Sequence, residues 1–374
     1  MPTLDWITVK GFKSIASIER LPLRAINIVI GANGSGKSNF IGAFSLLHAL
    51  REGQLQDYVA RAGGANRLLH FGAKTTAALE LRISFLSEVN QYAITLVPTA
   101  LDELAPKSLG EWAYFWDKSR YPDAYSEGIL SEGKEAGISQ PQRSRVATFV
   151  RDHLTRWHPY HFHDTSALSP MKQTADVADN RFLRGDGNNL AAFLFLLKQK
   201  HSEEYGFIRA VVRRVAPFFD DFQLAPQLLN PSKIRLEWKH AGSDAYFDAS
   251  SFSDGTLRFI ALATLLLQPE SLRPSVILID EPELGLHPYA ITMLAALIQQ
   301  ASVKTQMVVS TQSPQLLDNF EPADVLVAER AGGGTQLKRL ENEKLASWLE
   351  TYGLGQLWEK NELGGRPVGE TPRA

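Results

Sequence analysis

The run Gly31-Ala32-Asn33-Gly34-Ser35-Gly36-Lys37-Ser38 has the spacing G-x-x-x-x-G-K-[ST] of a phosphate-binding loop. Glycines let successive backbone N–H groups turn inward around phosphate oxygens. A helix opening at the end of such a loop presents its positive pole to the same charge. Lys37 has the length and charge to reach β- and γ-phosphates, and the Ser38 hydroxyl suits Mg²⁺. Asn33, Gly34, Ser35, Gly36 and Asn39 complete the expected cradle. The expected cofactors are therefore ATP and Mg²⁺. A chance glycine-rich turn is the bland alternative, and it would not need a strand before the loop and a helix after it.

The second chemical constellation is Asp280-Glu281-Pro282, at the end of the apolar run Ser275 to Ile279. Two acids closing a buried strand are costly without partners. A metal ion and a water would supply them. Asp280 is the candidate Mg²⁺ ligand, directly or through water, and Glu281 the candidate general base. Solvated acids at a strand end are the alternative, and the phosphate loop in the same chain weighs against it.

Elements must hold these groups in place. Ala25 to Ile30 reads as a buried strand running into Gly31, and Asn39 to Leu50 as the helix after the loop. Phe40, Ala43, Phe44 and Leu47 share one face of that helix. Strands are expected at Leu4–Lys10, Ala77–Phe85, Gln91–Val97, Ile234–Lys239, Gln306–Ser310, Asp324–Glu329 and Gln336–Leu340. Helices are expected at Arg145–Arg156, Asn189–Lys200, Glu203–Val215, Thr256–Leu267, Ala290–Ala301 and, briefly, Gln315–Phe320. Asn188-Asn189 is placed to cap one of them. The stretch Thr99 to Gln142 reads as irregular. The helical tail reads as frayed at Gly364-Gly365-Arg366-Pro367.

A family resemblance enters with Ser253-Asp254-Gly255-Thr256-Leu257-Arg258, which opens an apolar helix before the carboxylate strand. It resembles the signature motif of ABC-type ATPases, in the SDGT form of RecF-like and AAA-15/AAA-21-type predicted ATPases. Glu283-Leu284-Gly285-Leu286-His287-Pro288 resembles their D-loop. Ser310-Thr311-Gln312-Ser313-Pro314 sits where they usually have S-T-H-S-P, and Lys10-Gly11-Phe12-Lys13-Ser14 resembles the start of SMC, RecF and Rad50 heads. The implied fold is α/β: a P-loop NTPase of the RecF/SMC head type, with a mixed sheet, flanking helices and a mainly helical insertion. The implied division is residues 1–97 and 230–345 for the head, 98–229 for the insertion and 346–374 for the tail.

The resemblance also implies a mechanism. The signature of one protomer would close over ATP on its partner, with Ser253, Gly255 and Thr256 contacting the γ-phosphate across a homodimer. The catalytic candidates are Glu281 and, at the switch, Gln312. Glutamine orients water but does not take up a proton near neutral pH. The Q-loop has no clean match, and Gln91 is the nearest candidate.

Composition narrows the class. The chain has 374 residues, 44% hydrophobic, with 39 basic against 41 acidic residues. That balance argues against a strongly basic nucleic-acid binder and leaves a local basic face open. There is no cysteine, hence no disulfide framework. No apolar run suits a secretory signal or a membrane span, so a cytoplasmic protein without membrane partners is expected. His153, His158, His161 and His163 cluster, and packing or hydrogen bonding is the favoured reading over a metal site. No heptad pattern supports long coiled-coil arms, and too little chain follows Glu329 for an appended Toprim nuclease.

The leading function is an ATPase whose cycle closes and opens a dimer, in DNA repair, DNA maintenance or anti-phage defence. DNA and a separately encoded effector protein are the open partners. The alternative is an ATP-gated DNA- or effector-binding module with negligible hydrolysis. A transporter subunit fits the SDGT signature and the long insertion poorly.

Overall fold

Ile26, Ile28 and Ile30 alternate with Asn27 and Val29, and all five are buried. A strand with no wet face belongs inside a sheet covered on both sides. The computed structural model, which describes residues 4–131 and 133–365, places it there. This strand is β3 (Ile26–Ile30). Its sheet runs β18 (Gly334–Arg339), β17 (Val325–Ala331), β3, β16 (Gln306–Ser310), β15 (Val276–Asp280), β8 (Trp157–Tyr160). Only β18 is antiparallel to its neighbour.

A second sheet is wholly antiparallel. Its order is β2 (Ile15–Pro22), β1 (Leu4–Phe12), β4 (Leu79–Phe85), β5 (Asn90–Pro98), β6 (Leu104–Phe115), β7 (Tyr125–Gly128). Leu81, Ile83, Tyr92 and Ile94 form its inner face. Helix α1 (Lys37–Glu52) lies between the sheets, packing Phe40, Phe44 and Leu47 against that face and against Val29, Leu278 and Val308 of the parallel sheet. Each such side chain contributes about 1.5–3 kcal/mol on burial, which outweighs the helix cost of Gly42. Helices α2 (Leu55–Ala62), α3 (Ala65–Leu68) and α4 (Arg145–Thr155) join this layer.

The other face of the parallel sheet carries Ile28, Ile277, Ile279, Met307 and Val309. They share a core with α5 (Leu190–Lys200), α6 (Ser202–Val215), α7 (Asp254–Leu267) and α8 (Pro288–Ser302). Two small sheets flank it. One joins β9 (Ala175–Asp176), β11 (Pro226–Gln227) and β12 (Asn230–Ile234); the other joins β10 (Phe219–Gln223), β13 (Glu237–His240) and β14 (Tyr246–Asp248). Short α9 (Pro314–Leu317) follows β16, and α10 (Asn342–Leu349) and α11 (Leu354–Glu359) follow β18.

Four expectations need correction. The stretch from Thr99 to Gln142 is not irregular throughout: β6 and β7 extend the antiparallel sheet through it. Residues 98–229 thus carry strands as well as the three expected helices. The strand read at Ile234–Lys239 is two strands, which pair in different small sheets on either side of Arg235-Leu236. Asn189 stands at the N-cap position of α5 without capping it. Its Oδ1 accepts the Arg184 N–H at 2.9 Å and its Nδ2 donates to the Asp179 and Phe182 carbonyls, so it ties a loop to the helix. Gly364 and Gly365 are held by hydrogen bonds rather than frayed. Arg366 and Pro367 lie outside the described residues.

Candidate functional site

β3, β16 and β15 run parallel in register, so their C-terminal ends open on one edge of the sheet. Gly31 follows β3, Thr311 and Gln312 follow β16, and Asp280 closes β15. Asn33, Gly34, Gly36, Lys37, Ser38, Asn39, Glu281 and Gln312 line a single cleft there. Segments far apart in sequence meet because neighbouring strands deliver them.

Lys37 is buried, and its Nζ donates to the carbonyls of Gly31 at 2.7 Å and Ala32 at 3.1 Å. Burial pulls the ammonium pKa below its ordinary value, while the carboxylates of Glu281, Asp280 and Glu283 oppose that shift. The loop is braced from outside. Thr335 Oγ1 donates to the Ser35 carbonyl at 2.8 Å and shares a 2.7 Å hydrogen bond with Ser14 Oγ. Asn39 Nδ2 donates to the same Ser14 Oγ at 2.6 Å. Asn39 thus lines the cleft with its amide nitrogen already engaged.

The acidic side of the cleft is equally tied. Ser310 Oγ donates to Asp280 Oδ1, and Gln312 Nε2 donates to Glu281 Oε1. Glu281 adopts a left-handed backbone, φ 41°, and its N–H donates to the Ser310 carbonyl at 2.9 Å. For a residue with a Cβ that conformation costs about 1–2 kcal/mol, so local packing and the 2.9 Å bond must hold it.

Sequence reading did not assign Glu283 a role of its own. Its Oε1 accepts from Thr311 Oγ1 at 2.6 Å and from the Gln312 N–H at 3.1 Å, while its Oε2 is buried without a partner. Burial pushes its pKa up. Glu283 fixes the backbone on which Gln312 stands. A buried acid and a solvated one look alike in sequence, and only the neighbouring threonine hints at the pairing.

His161, one of the clustered histidines noted in the sequence, comes near the acidic strand end. Tyr160 pairs with Ile279, so His161 emerges next to Asp280. The side chain is exposed at the sheet edge, where partial desolvation lowers its imidazole pKa and the Asp280 carboxylate opposes this. Gln91, the nearest Q-loop candidate in sequence, lies on β5 of the other sheet, where its Oε1 accepts from Arg82 at 2.7 Å. Among the described residues no three His, Asp or Glu side chains converge as a metal-ligand set.

The signature residues do not line this cleft in their own chain. Ser253 caps α7, its Oγ accepting the Thr256 N–H at 3.2 Å and meeting Thr256 Oγ1 at 2.8 Å. Arg258, one turn on, is buried and donates to the carbonyls of Phe162 at 2.9 Å and His163 at 3.0 Å. Gly255 abuts the carbonyl of Gly285, and a Cβ there would overlap that oxygen. Gly255→Ala should therefore lower stability by about 1–3 kcal/mol. Gly206→Ala, in open space on α6, should raise it by about 0.5–1 kcal/mol. Thermal unfolding of the two variants checks the contrast, and equal shifts would contradict it.

The residues present fit a nucleoside triphosphate with Mg²⁺. An ammonium waits on two loop carbonyls, the Ser35 hydroxyl is buried without a partner, and a carboxylate and a serine hydroxyl face the same opening.

The family described as "AAA domain, putative AbiEii toxin, Type IV TA system" matches residues 26–318. No curated protein matches the chain. Among solved structures, an SMC head bound to the C-winged helix domain of ScpA is similar, with TM-score 0.59 and 16% identity, covering 92% of this chain and 100% of that one. The SMC head domain with an extended coiled coil, bound to the C-terminal domain of ScpA and derived from Pyrococcus furiosus, gives TM-score 0.58 and 16% identity, covering 94% and 99%. An SMC head domain with coiled coil and joint from Pyrococcus yayanosii gives 0.53 and 14%, covering 94% and 99%. Among the described residues no helix is long and apolar enough to cross a membrane. Matched over most of its length, the chain belongs to this AAA domain family and has the fold of an SMC-type ATPase head.

Proposed function

We propose that the chain binds ATP with Mg²⁺ and hydrolyses it as a nucleotide-dependent homodimer. The observation that carries this is a division of labour. Lys37, Ser38, Glu281 and Gln312 share one cleft, while Ser253, Gly255 and Thr256 stand outside it. A second protomer would bring the missing signature to the first one's cleft.

Each residue then has a task. Asn33, Gly34, Ser35, Gly36 and Asn39 shape the loop, and Lys37 keeps one N–H on the Gly31 carbonyl while its others turn to phosphate oxygens. Ser38 and Asp280 would hold Mg²⁺, which supplies neutralising charge to the phosphates. Glu281 takes a proton from the attacking water at a carboxylate oxygen. Gln312, donating to Glu281 Oε1, sets that carboxylate's orientation. Ser253, Gly255 and Thr256 meet the γ-phosphate of the partner's nucleotide with a helix N-terminus.

The family description names a putative toxin of a toxin–antitoxin system, which supports a defence setting alongside DNA repair or maintenance. DNA or a separately encoded effector protein would be the object moved. A cytoplasmic location fits that setting. One observation favours a second reading, an ATP-gated binding module with negligible hydrolysis: the switch residue is an amide already bonded to the proposed base.

Light scattering on Glu281→Gln, with and without ATP and Mg²⁺, tests the dimer. Conversion from monomer to dimer on adding ATP is the expected result. A nucleotide-bound monomer would overturn the composite site. Multiple turnovers by the wild type separate the ATPase from the gated module.

A further inference from the structure

We infer that the C-terminal segment Leu354 to Gly365 is a strap whose last described residue positions the P-loop lysine from outside the cleft. The inference rests on the ATP reading above. The Ala32 N–H donates to the Gly365 carbonyl at 2.9 Å. The Gly31 carbonyl belongs to the same peptide unit as that N–H, and it accepts from Lys37 Nζ at 2.7 Å. A trans peptide unit is planar, with its N–H and C=O pointing in opposite directions. Anchoring the N–H on Gly365 therefore aims the carbonyl at Lys37. Gly365 acts on the lysine through one rigid plane and touches no ligand.

The anchor is itself built. The Gly365 N–H donates to Glu329 Oε1 at 2.7 Å, on β17 beside the P-loop strand. Gly364 and Gly365 have φ of 81° and 84°. A Cβ on Gly364 would run into Glu329 Oε1, and one on Gly365 would press Val327 at 3.2 Å and Gly31 Cα at 3.4 Å. Only residues without a side chain let the tail approach this closely in that conformation.

The other end of the strap is fastened to the switch. The Gly355 N–H donates to Asp318 Oδ1 at 2.6 Å, and Gly355 lies against the Pro314 carbonyl. Leu354, Leu357 and Leu363 are buried in one core with Leu316 and Leu317. Ser313, which caps α9, immediately follows Gln312. One continuous segment thus joins the helix after Gln312 to the loop that carries Lys37. Glu329 and Gly365 are positioning residues.

The test is titration of the full chain with a fluorescent ATP analogue and Mg²⁺. Glu329→Ala and a chain ending at Leu363 should bind about three- to tenfold more weakly, the range expected for one backbone hydrogen bond. Glu329→Gln keeps an acceptor oxygen for the Gly365 N–H and should stay within about twofold of wild type. A chain ending at Val368 keeps Gly364 and Gly365 and should do the same. Unchanged affinity in Glu329→Ala and in the chain ending at Leu363 would overturn the strap while leaving the ATP reading intact. Equal weakening by Glu329→Gln and Glu329→Ala would also overturn it. A wild type that binds no analogue would overturn the ATP reading, and the strap's role with it.

Discussion

Glu281→Gln is expected to keep ATP and to lose turnover by about 10²- to 10³-fold. The substitution leaves the shape of the side chain unchanged. Its amide oxygen can still accept from Gln312 Nε2, so the contact across the cleft survives. It removes a group able to take a proton from water. The left-handed backbone at position 281 is also preserved, because Gln and Glu bear the same Cβ. Single-turnover phosphate release, measured beside analogue binding, checks both halves. Turnover within about tenfold of wild type would assign the base elsewhere.

The second large effect lies away from the cleft, at Glu111 on β6. This carboxylate is buried and accepts four hydrogen bonds: Tyr92 Oη at 2.9 Å, Ser131 Oγ at 3.1 Å, and the N–H groups of Gly137 at 2.7 Å and Ile138 at 2.9 Å. Glu111→Ala leaves those donors unpaired and should destabilise by about 3 kcal/mol. For a chain this size that lowers the unfolding midpoint by several degrees, measurable by calorimetry. Burial raises the Glu111 pKa above 4.5, with the four hydrogen bonds opposing. The folded state therefore holds more protons than the unfolded one over a window opening near 4.5. The stability this provides is present below that pH and is lost as pH rises through the folded pKa. The gap between wild type and Glu111→Ala should then narrow as pH rises above about 4.5. A widening gap would mean that the carboxylate is stabilised in its charged form.

What could be read from the sequence is what is local. The phosphate loop, its strand and its helix occupy Ala25 to Leu50, and each piece announces itself through glycine spacing or apolar periodicity. The acids at the end of β15 are legible for the same reason. β6 was not, because Pro106 and Gly110 break its alternation and its pairing with β5 carries a register shift near Ile94. Glu111, inside that strand, looks like any surface acid until the turn at 137–139 folds over it.

The parts of the site that sequence missed are all contacts between distant segments. Thr335 lies 300 residues from the loop it braces, and its neighbour Ser14 belongs to the other sheet's first hairpin. Glu283 sat inside a recognised motif, but its hold on Thr311 depends on β15 and β16 being neighbours. His161 was noted in a histidine cluster, but its nearness to Asp280 needed β8 to be placed at the edge beside β15. The glycines at 364 and 365 read as a loose end because free and clasped glycines have the same composition.

Gly255 and Gly285 touch backbone to backbone, with no side chain between them to yield. In the proposed pair, Gly255 faces the partner's nucleotide, while Gly285 belongs to the turn that follows this chain's own Asp280 and Glu281. In such a pair, a shift felt at one nucleotide would be handed across this contact to the carboxylates serving the other. Two such heads would fire as a couple: occupancy of one cleft would sharpen the response of the second, and a mixed dimer with one dead cleft would lose more than half its rate.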